Sequence, residues 1–454
     1  MIVRAVALGA ALGAIYLLSP LLVITGSGFA VLIRWARQVQ DPIERCILTS
    51  LLIAAIGLRL LAIAGLFLST DHQAIPFGTF FGDEDYFIRR SIWLRNLALD
   101  IPISLADVRY AYDASIQTSF VWVLAALQMV VGPSPYGLHL VSVFLYVLGA
   151  MALYRAVRPG FGQPAAVMGL GLLLFLPSLF AWSISVLKEA VFLAMMGGLV
   201  WLTVTAARQA FWLRRVLAAA LLLPVAVAAE TIRDGGFVVA GLGTLGGVLL
   251  GLMWARRRPA LVMVIVAAAA VPTMLSIDSV RDRVDLLVTN AAIRHWEHVH
   301  APGHSYMILE PEFYVDRPLP GDLTPVAAAR YALGGLAAYV IVPAPWQMTS
   351  RAELAYLPEQ LLWYGMVLLA PFGVLAGFRR DPFLTAILSV HLVMAVLLVA
   401  MTSGNIGTLV RHRALALPYL VWFSGLGLSM ALAWLSGPRM APARPFHLQQ
   451  RAEA

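Results

Sequence analysis

The chain has 454 residues, 61% of them hydrophobic and only 12% charged, with a mean hydropathy of +0.83. Soluble domains run at about 45–50% apolar and about 25% charged, so composition excludes a soluble globular fold and points to an all-α polytopic membrane protein. The net charge is +8, yet no basic stretch exceeds the Arg256-Arg257-Arg258 triplet between two apolar runs, which reads as a topology signal and not as a nucleic-acid footprint.

The one cysteine, Cys46, excludes an internal disulfide. Arginine supplies every basic residue but Lys188, a bias that fits a GC-rich bacterial genome. The first residues lack an A-x-A cleavage site, so no cleaved signal peptide is expected.

In chain order, apolar runs predict spans over 5–33, 46–68, 138–156, 164–180, 190–206, 216–230, 236–254, 260–277, 357–378, 383–401 and 414–436. That is about 10–11 transmembrane helices, each needing about 20 residues to cross about 30 Å. Three parts follow: an N-terminal span with its loop (1–45), a membrane domain (46–436) and a tail (437–454). The segments 34–45, 155–163, 207–215, 255–259, 379–382 and 437–454 hold 16 Arg and only four acids, which assigns them to the cytoplasm. The other 20 acids then fall outside, in an orientation that suits a bacterial inner membrane with its working face toward the periplasm. Two outer loops are long, about 69–137 and 278–356. Each contains an apolar piece too short to span, Ser119–Gly132 and Tyr331–Val342, read as juxtamembrane helices.

The first outer loop contains Phe80-Phe81-Gly82-Asp83-Glu84-Asp85-Tyr86. An acidic triplet is most simply a solvated loop. Here the aromatics would hold the carboxylates near the membrane surface, and both desolvation and crowding raise a carboxyl pKa. A carboxylate so tuned suits general-base work on a hydroxyl. Asp83 and Asp85 could also lend oxygens to Mg²⁺ or Mn²⁺, but D-x-D alone is a weak signal and no cofactor is expected.

Arg59 lies inside the preceding span, either snorkelling or facing an anion, since an intramembrane arginine costs about 2.5–3.5 kcal/mol on insertion scales. Lys188-Glu189 follows Pro177 and reads either as a helix start or as a phosphate contact with its partner. Glu230, Arg233 and Asp234 form a further charged boundary, and Arg411 and Arg413 precede the last span on the outer side. His295, His298, His300 and His304 match no single helical face, so a structural or solvated loop outweighs a Zn²⁺ site. The chain contains no P-loop or G-x-S-x-G in a supporting context.

Taken in this order, the residues resemble the GT-C class of polytopic glycosyltransferases, in particular the branch of protein mannosyltransferases, aminoarabinose transferases and Rgt-like enzymes. Asp83-Glu84-Asp85-Tyr86 is similar to that branch's D-E-x-Y motif in the first outer loop. Gly132–Gly137 leading into a span, the proline-terminated span before Glu189, and Arg411 and Arg413 ahead of Pro418 look like its layout over about 46–436. The Pro-Pro-Leu element often found after the motif is replaced by Ser115–Trp122.

The resemblance implies transfer of a sugar from a polyprenyl-phosphate donor to a glycan, lipid or protein acceptor at the outer face. Asp83 would be the general base and Glu84 its partner. Asp85, Tyr86, Arg59, Lys188, Glu189, Arg233, Arg411 and Arg413 would line the substrates. A lipid-linked glycan polymerase or ligase, and a transporter or flippase, remain as alternative readings.

Overall fold

The computed structural model describes residues 20–112, 118–254, 277–300, 307–319, 324–348 and 350–436, with Val6 and Gly9 besides. Among the described residues the protein is all-α, with one isolated β-bridge, Met307 to Asn405, and no strand. Among the described residues seven helices are long and apolar enough to cross a bilayer, or eight if the bent pair Gln163–Phe175 and Pro177–Ile184 is one span. The chain is therefore a multi-pass helical membrane protein. The expected span at 260–277, the start of the one at 5–33, the Arg256–Arg258 triplet, His304 and the tail from 437 lie outside the described residues.

The chain forms two compact units. The first comprises residues 1–155 and 170–237. It contains α1 (Pro20–Ala36), α2 (Pro42–Ser69), the loop helices α3 (Gly82–Ala98), α4 (Leu105–Ala111) and α5 (Ser119–Val131), and most of α6 (Pro135–Phe161). The end of α7 (Gln163–Phe175), α8 (Pro177–Ile184), α9 (Lys188–Arg208) and α10 (Trp212–Ile232) complete it. At 13 residues, α5 is the short apolar helix the sequence predicts, and it is too short to span. A Cβ on Gly197 would lie 2.4 Å from the Gly149 carbonyl oxygen, so α6 and α9 cross backbone against backbone, as small residues allow in membranes.

The loop helices are not a loose outer appendage. Ile88 and Leu94 of α3 and Phe120 and Leu124 of α5 share one core with Leu138, Val186, Leu187 and Ile232 at the ends of spans. The Thr118 hydroxyl donates to the Ile232 carbonyl at 2.8 Å, tying the start of α5 to the end of α10.

The second unit comprises residues 156–169 and 238–454. Its helices are α11 (Val238–Trp254, opening with a π-turn), α12 (Asp278–His300), α13 (Pro325–Ile341), α14 (Arg351–Arg380), α15 (Pro382–Thr402), α16 (Ile406–His412) and α17 (Leu417–Leu435). Every residue from Leu417 to Gly427 is buried, as befits a helix apolar on all sides. The expected juxtamembrane piece 331–342 is the second half of α13.

The last four carbonyls of a helix have no partner within it. In this protein arginines serve several of them. Arg90 donates to the last carbonyl of α4, Ala111, at 2.9 Å, and Arg95 to Gln128 in the last turn of α5 at 3.0 Å. Arg155 donates to Trp35 at the end of α1, and Arg215 to Ala206 at the end of α9. In the second unit, Arg380 donates to Phe161, the last residue of α6, at 2.7 Å. The arginine bias of the sequence thus has a structural use: a planar guanidinium reaches carbonyls that a point-charge ammonium serves less well.

Candidate functional site

The acidic triplet begins a helix and does not lie in a loop. Phe81 is extended (φ −137°, ψ 150°), α3 starts at Gly82, and Asp83, Glu84 and Asp85 occupy its first turn, where the helix dipole favours negative charge. Helical phase then gives the three acids different surroundings. Asp83 faces solvent. Asp85 is half-exposed and accepts from Arg89 Nε at 2.8 Å, one turn along. Glu84 is fully buried.

Glu84 Oε1 turns back to accept the Phe81 N–H at 3.0 Å, the back-bond of a capping box. Its Oε2 accepts the Val186 N–H at 3.3 Å and lies 3.6 Å from His139 Nδ1. That His139 nitrogen donates to the Ile184 carbonyl at 2.7 Å, so the 184–186 turn is held from both sides. Phe80 packs edge-on against His139 and Phe81 against Trp182, closing the pocket around the carboxylate. Burial pushes the Glu84 carboxyl up to about 7, opposed by the donors from Val186, Phe81, Ser185 and Phe80. Desolvation of an acid, expected for the triplet, therefore falls on Glu84 and not on Asp83.

This clamp fixes the start of α3 beside the start of α9. Asp83 and Phe87 lie one helical turn apart, and the Lys188 ammonium sits 5.6 Å from the Phe87 ring centroid. Lys188 is also the first residue of α9, so its charge adds to the positive end of that helix. Next to it, Glu189 is buried and its Oε1 pairs with Arg233 Nη1 at 3.4 Å. Tyr86 is held on the other side of α3, where its hydroxyl accepts from Arg90, whose guanidinium also lies over its ring.

Arg59 is placed elsewhere. It is fully buried, and its guanidinium completes the bend between α7 and α8. Pro177 has no N–H for the Leu173 carbonyl, and the 59° bend takes the next donor away from Leu174. The Tyr146 hydroxyl supplies Leu173 at 2.6 Å, and Arg59 Nη2 supplies Leu174 at 2.8 Å. Arg59 Nε donates to Ser183 Oγ at 2.7 Å and Nη1 to Ala55 O at 3.0 Å. Tyr146 and Phe180 flank it.

The second unit repeats this device. Pro343 and Pro345 deprive Tyr339 and Ile341 of their donors at the end of α13. Buried Arg413 donates to Tyr339 O at 2.9 Å, to Val342 O, and to Gln360 Oε1 at 2.8 Å, stacked 4.3 Å from the Trp363 ring centroid. Trp363 Nε1 supplies Val340, and the Tyr364 hydroxyl supplies Ile341. Arg59 and Arg413, both expected to meet an anion, are thus committed to backbone carbonyls. Arg411, half-buried on α16, belongs to this second unit.

Of the sequence candidates, the geometry groups Asp83, Glu84, Lys188, Glu189 and Arg233 at the ends of α3, α9 and α10. His139, Ser183 and Ser185, buried around them, were missed. A histidine one turn into a span, level with the acidic motif, was the available signal. The histidines expected in a loop instead close a helix, α12: His295 is fully buried and meets the Tyr314 hydroxyl at 2.9 Å, while His300 is exposed and stacks on Trp296. Among the described residues no group of three His, Cys, Asp or Glu is placed to hold a metal ion. No family model, no curated protein and no solved structure matches the chain.

Proposed function

We propose that the protein is a membrane glycosyltransferase that moves a sugar from a polyprenyl-phosphate donor to an acceptor hydroxyl. The observation that supports this reading is the clamp at Glu84. It sets an exposed carboxylate, Asp83, one turn from the ring under the Lys188 ammonium. In the proposed reaction Asp83 takes the acceptor proton, and the acceptor oxygen attacks the anomeric carbon. The bond from that carbon to the phosphate oxygen breaks, and the lipid phosphate leaves with the bonding pair. Lys188, the N-terminus of α9 and Arg233 stabilise the charge that develops on it. Glu84 positions this machinery from within and does not touch substrate. Arg59 and Arg413 hold helix ends.

The test is transfer of a radiolabelled sugar from a polyprenyl-phosphate donor in proteoliposomes. Asp83→Asn is expected to lower turnover about 10²–10⁴-fold, as loss of a general base does. Full transfer by the variant at equal expression refutes the assignment. Passage of the donor with no covalent product turns the reading to a transporter.

A further inference from the structure

A recess of about 510 Å³ opens at the arginine-rich end of the first unit, where the chain turns from α1 into α2. Arg37, Pro42, Arg45, Cys46, Thr49 and Ser50 line it. This volume is in the range of ligand sites, about 300–1,000 Å³. Both arginines are exposed, and among the described residues neither guanidinium has an ion-pair partner. The nearest acid in sequence, Asp41, accepts the Ile43 N–H at 3.1 Å as the cap of α2. The Thr49 hydroxyl on the recess wall is shut off from solvent, and among the described residues it has no hydrogen-bond partner. Two cations in one recess, neither ion-paired among the described residues, ask for an anion.

The surroundings say which kind. Cys46 and Ser50 continue at helical spacing into Ile53, Gly57 and Leu61. Ile53 is 52% and Leu61 70% exposed, and the place of a Cβ on Gly57 has nothing within 4 Å. A cationic recess that runs into an apolar, uncovered stripe along a span matches a molecule with an anionic head and an acyl tail. We propose that this is a binding site for an anionic phospholipid of the leaflet that bathes this end, the phosphate between Arg37 and Arg45 and one chain along the 53–61 stripe. The arginine count assigns this end to the cytoplasmic side, where basic recesses between spans recognise anionic headgroups. The inference stands apart from the glycosyltransfer reading.

Native mass spectrometry of the detergent-purified chain, with phosphatidylglycerol or phosphatidylcholine of equal chain length, tests it. The wild type is expected to retain phosphatidylglycerol over phosphatidylcholine. R37Q/R45Q is expected to retain it about 30-fold less well, the effect of two lost cationic contacts, with phosphatidylcholine unchanged. Cys46, the only cysteine, reports the location: in neutral detergent, phosphatidylglycerol should slow its maleimide labelling severalfold in the wild type and not in the double variant. Should R37Q/R45Q fail to fold, Ser50→Trp fills the recess with both charges kept and should abolish the protection. Equal retention of the two lipids, undiminished retention by the variants, or equal protection by inorganic phosphate alone would each overturn the proposal.

Discussion

Glu84 is the group whose titration should be felt by the whole first unit. Its carboxyl is pushed up to about 7 from an ordinary 4.5, so the folded protein holds this proton more tightly than the unfolded chain does. The stability linked to it is fully present below about pH 4.5 and is lost as pH rises through about 7. That difference corresponds to about 3 kcal/mol, already net of the Val186 and Phe81 N–H groups, which favour the ionised form. Glu84→Gln removes the titration and replaces an acceptor oxygen with an NH₂ group. One of the two N–H donors then loses its acceptor, a pH-independent cost of about 1–3 kcal/mol.

The assay is thermal unfolding of detergent-solubilised protein, followed by loss of the monodisperse peak, at pH values from 4.5 to 8. Buried histidines act in the opposite sense; His295, held down to about 3 by burial and by His298, is one. The difference between wild type and variant is therefore the quantity to read. Glu84→Gln should be less stable at pH 5, and the gap should close toward pH 8. Parallel curves over this range would refute the account of Glu84 as a buried acid that favours its neutral form.

Substitutions at four other positions, Arg59, Gly197, Gly198 and Lys188, test the packing and the site. Arg59→Met removes three hydrogen bonds from a charged donor. The Ala55 carbonyl keeps its helical N–H, so the two to Ser183 and Leu174 carry the cost, about 1.5–3 kcal/mol each, against an intramembrane charge costing about 2.5–3.5 kcal/mol, for a net loss of about 0–3 kcal/mol. Arg59→Lys keeps the charge without the fork that serves Ser183 and Leu174 together. Melting temperatures in detergent should therefore fall from wild type to Met to Lys, and a Lys variant equal to wild type would contradict the capping role. Gly197→Ala places a Cβ 2.4 Å from the Gly149 oxygen and should cost about 1–3 kcal/mol. Gly198→Ala, with nothing within 4 Å, should be neutral or slightly stabilising by the same measurement. Lys188→Met should lower kcat in the proteoliposome assay about 10²-fold or more while leaving the Glu84-linked pH profile in place.

Hydropathy made seven of the spans legible because burying apolar groups along about 20 residues is a local property, while the runs at 5–33 and 236–254 give, among the described residues, helices of only 17 residues. Length marked α5 as a helix too short to span. The acidic motif was legible as a place, but the division of labour within it was not. Three adjacent acids look alike until the helix is known to start at Gly82, which turns Glu84 inward and leaves Asp83 outside. The arginines were the harder case. Arg59 and Arg413 look like anion ligands to any reading that considers charge and depth alone. Their partners are carbonyls 115 and 74 residues away in sequence, and no local pattern displays that pairing. Counting donors would have hinted at it, since Pro177 and Pro343 each announce a carbonyl left without an N–H.

The bond from Arg59 to Leu174 also sets a timetable for biogenesis. The ribosome completes the α2 arginine 115 residues before its acceptor exists. At about 5–20 residues per second, the nascent chain waits roughly 6–25 s with a charged side chain in an inserted span. Its own helix offers only the Ala55 carbonyl in that interval. The broken span arrives with the complementary defect, two open carbonyls at Leu173 and Leu174. Each segment is a poor guest of the bilayer alone, and the two are made compatible by meeting.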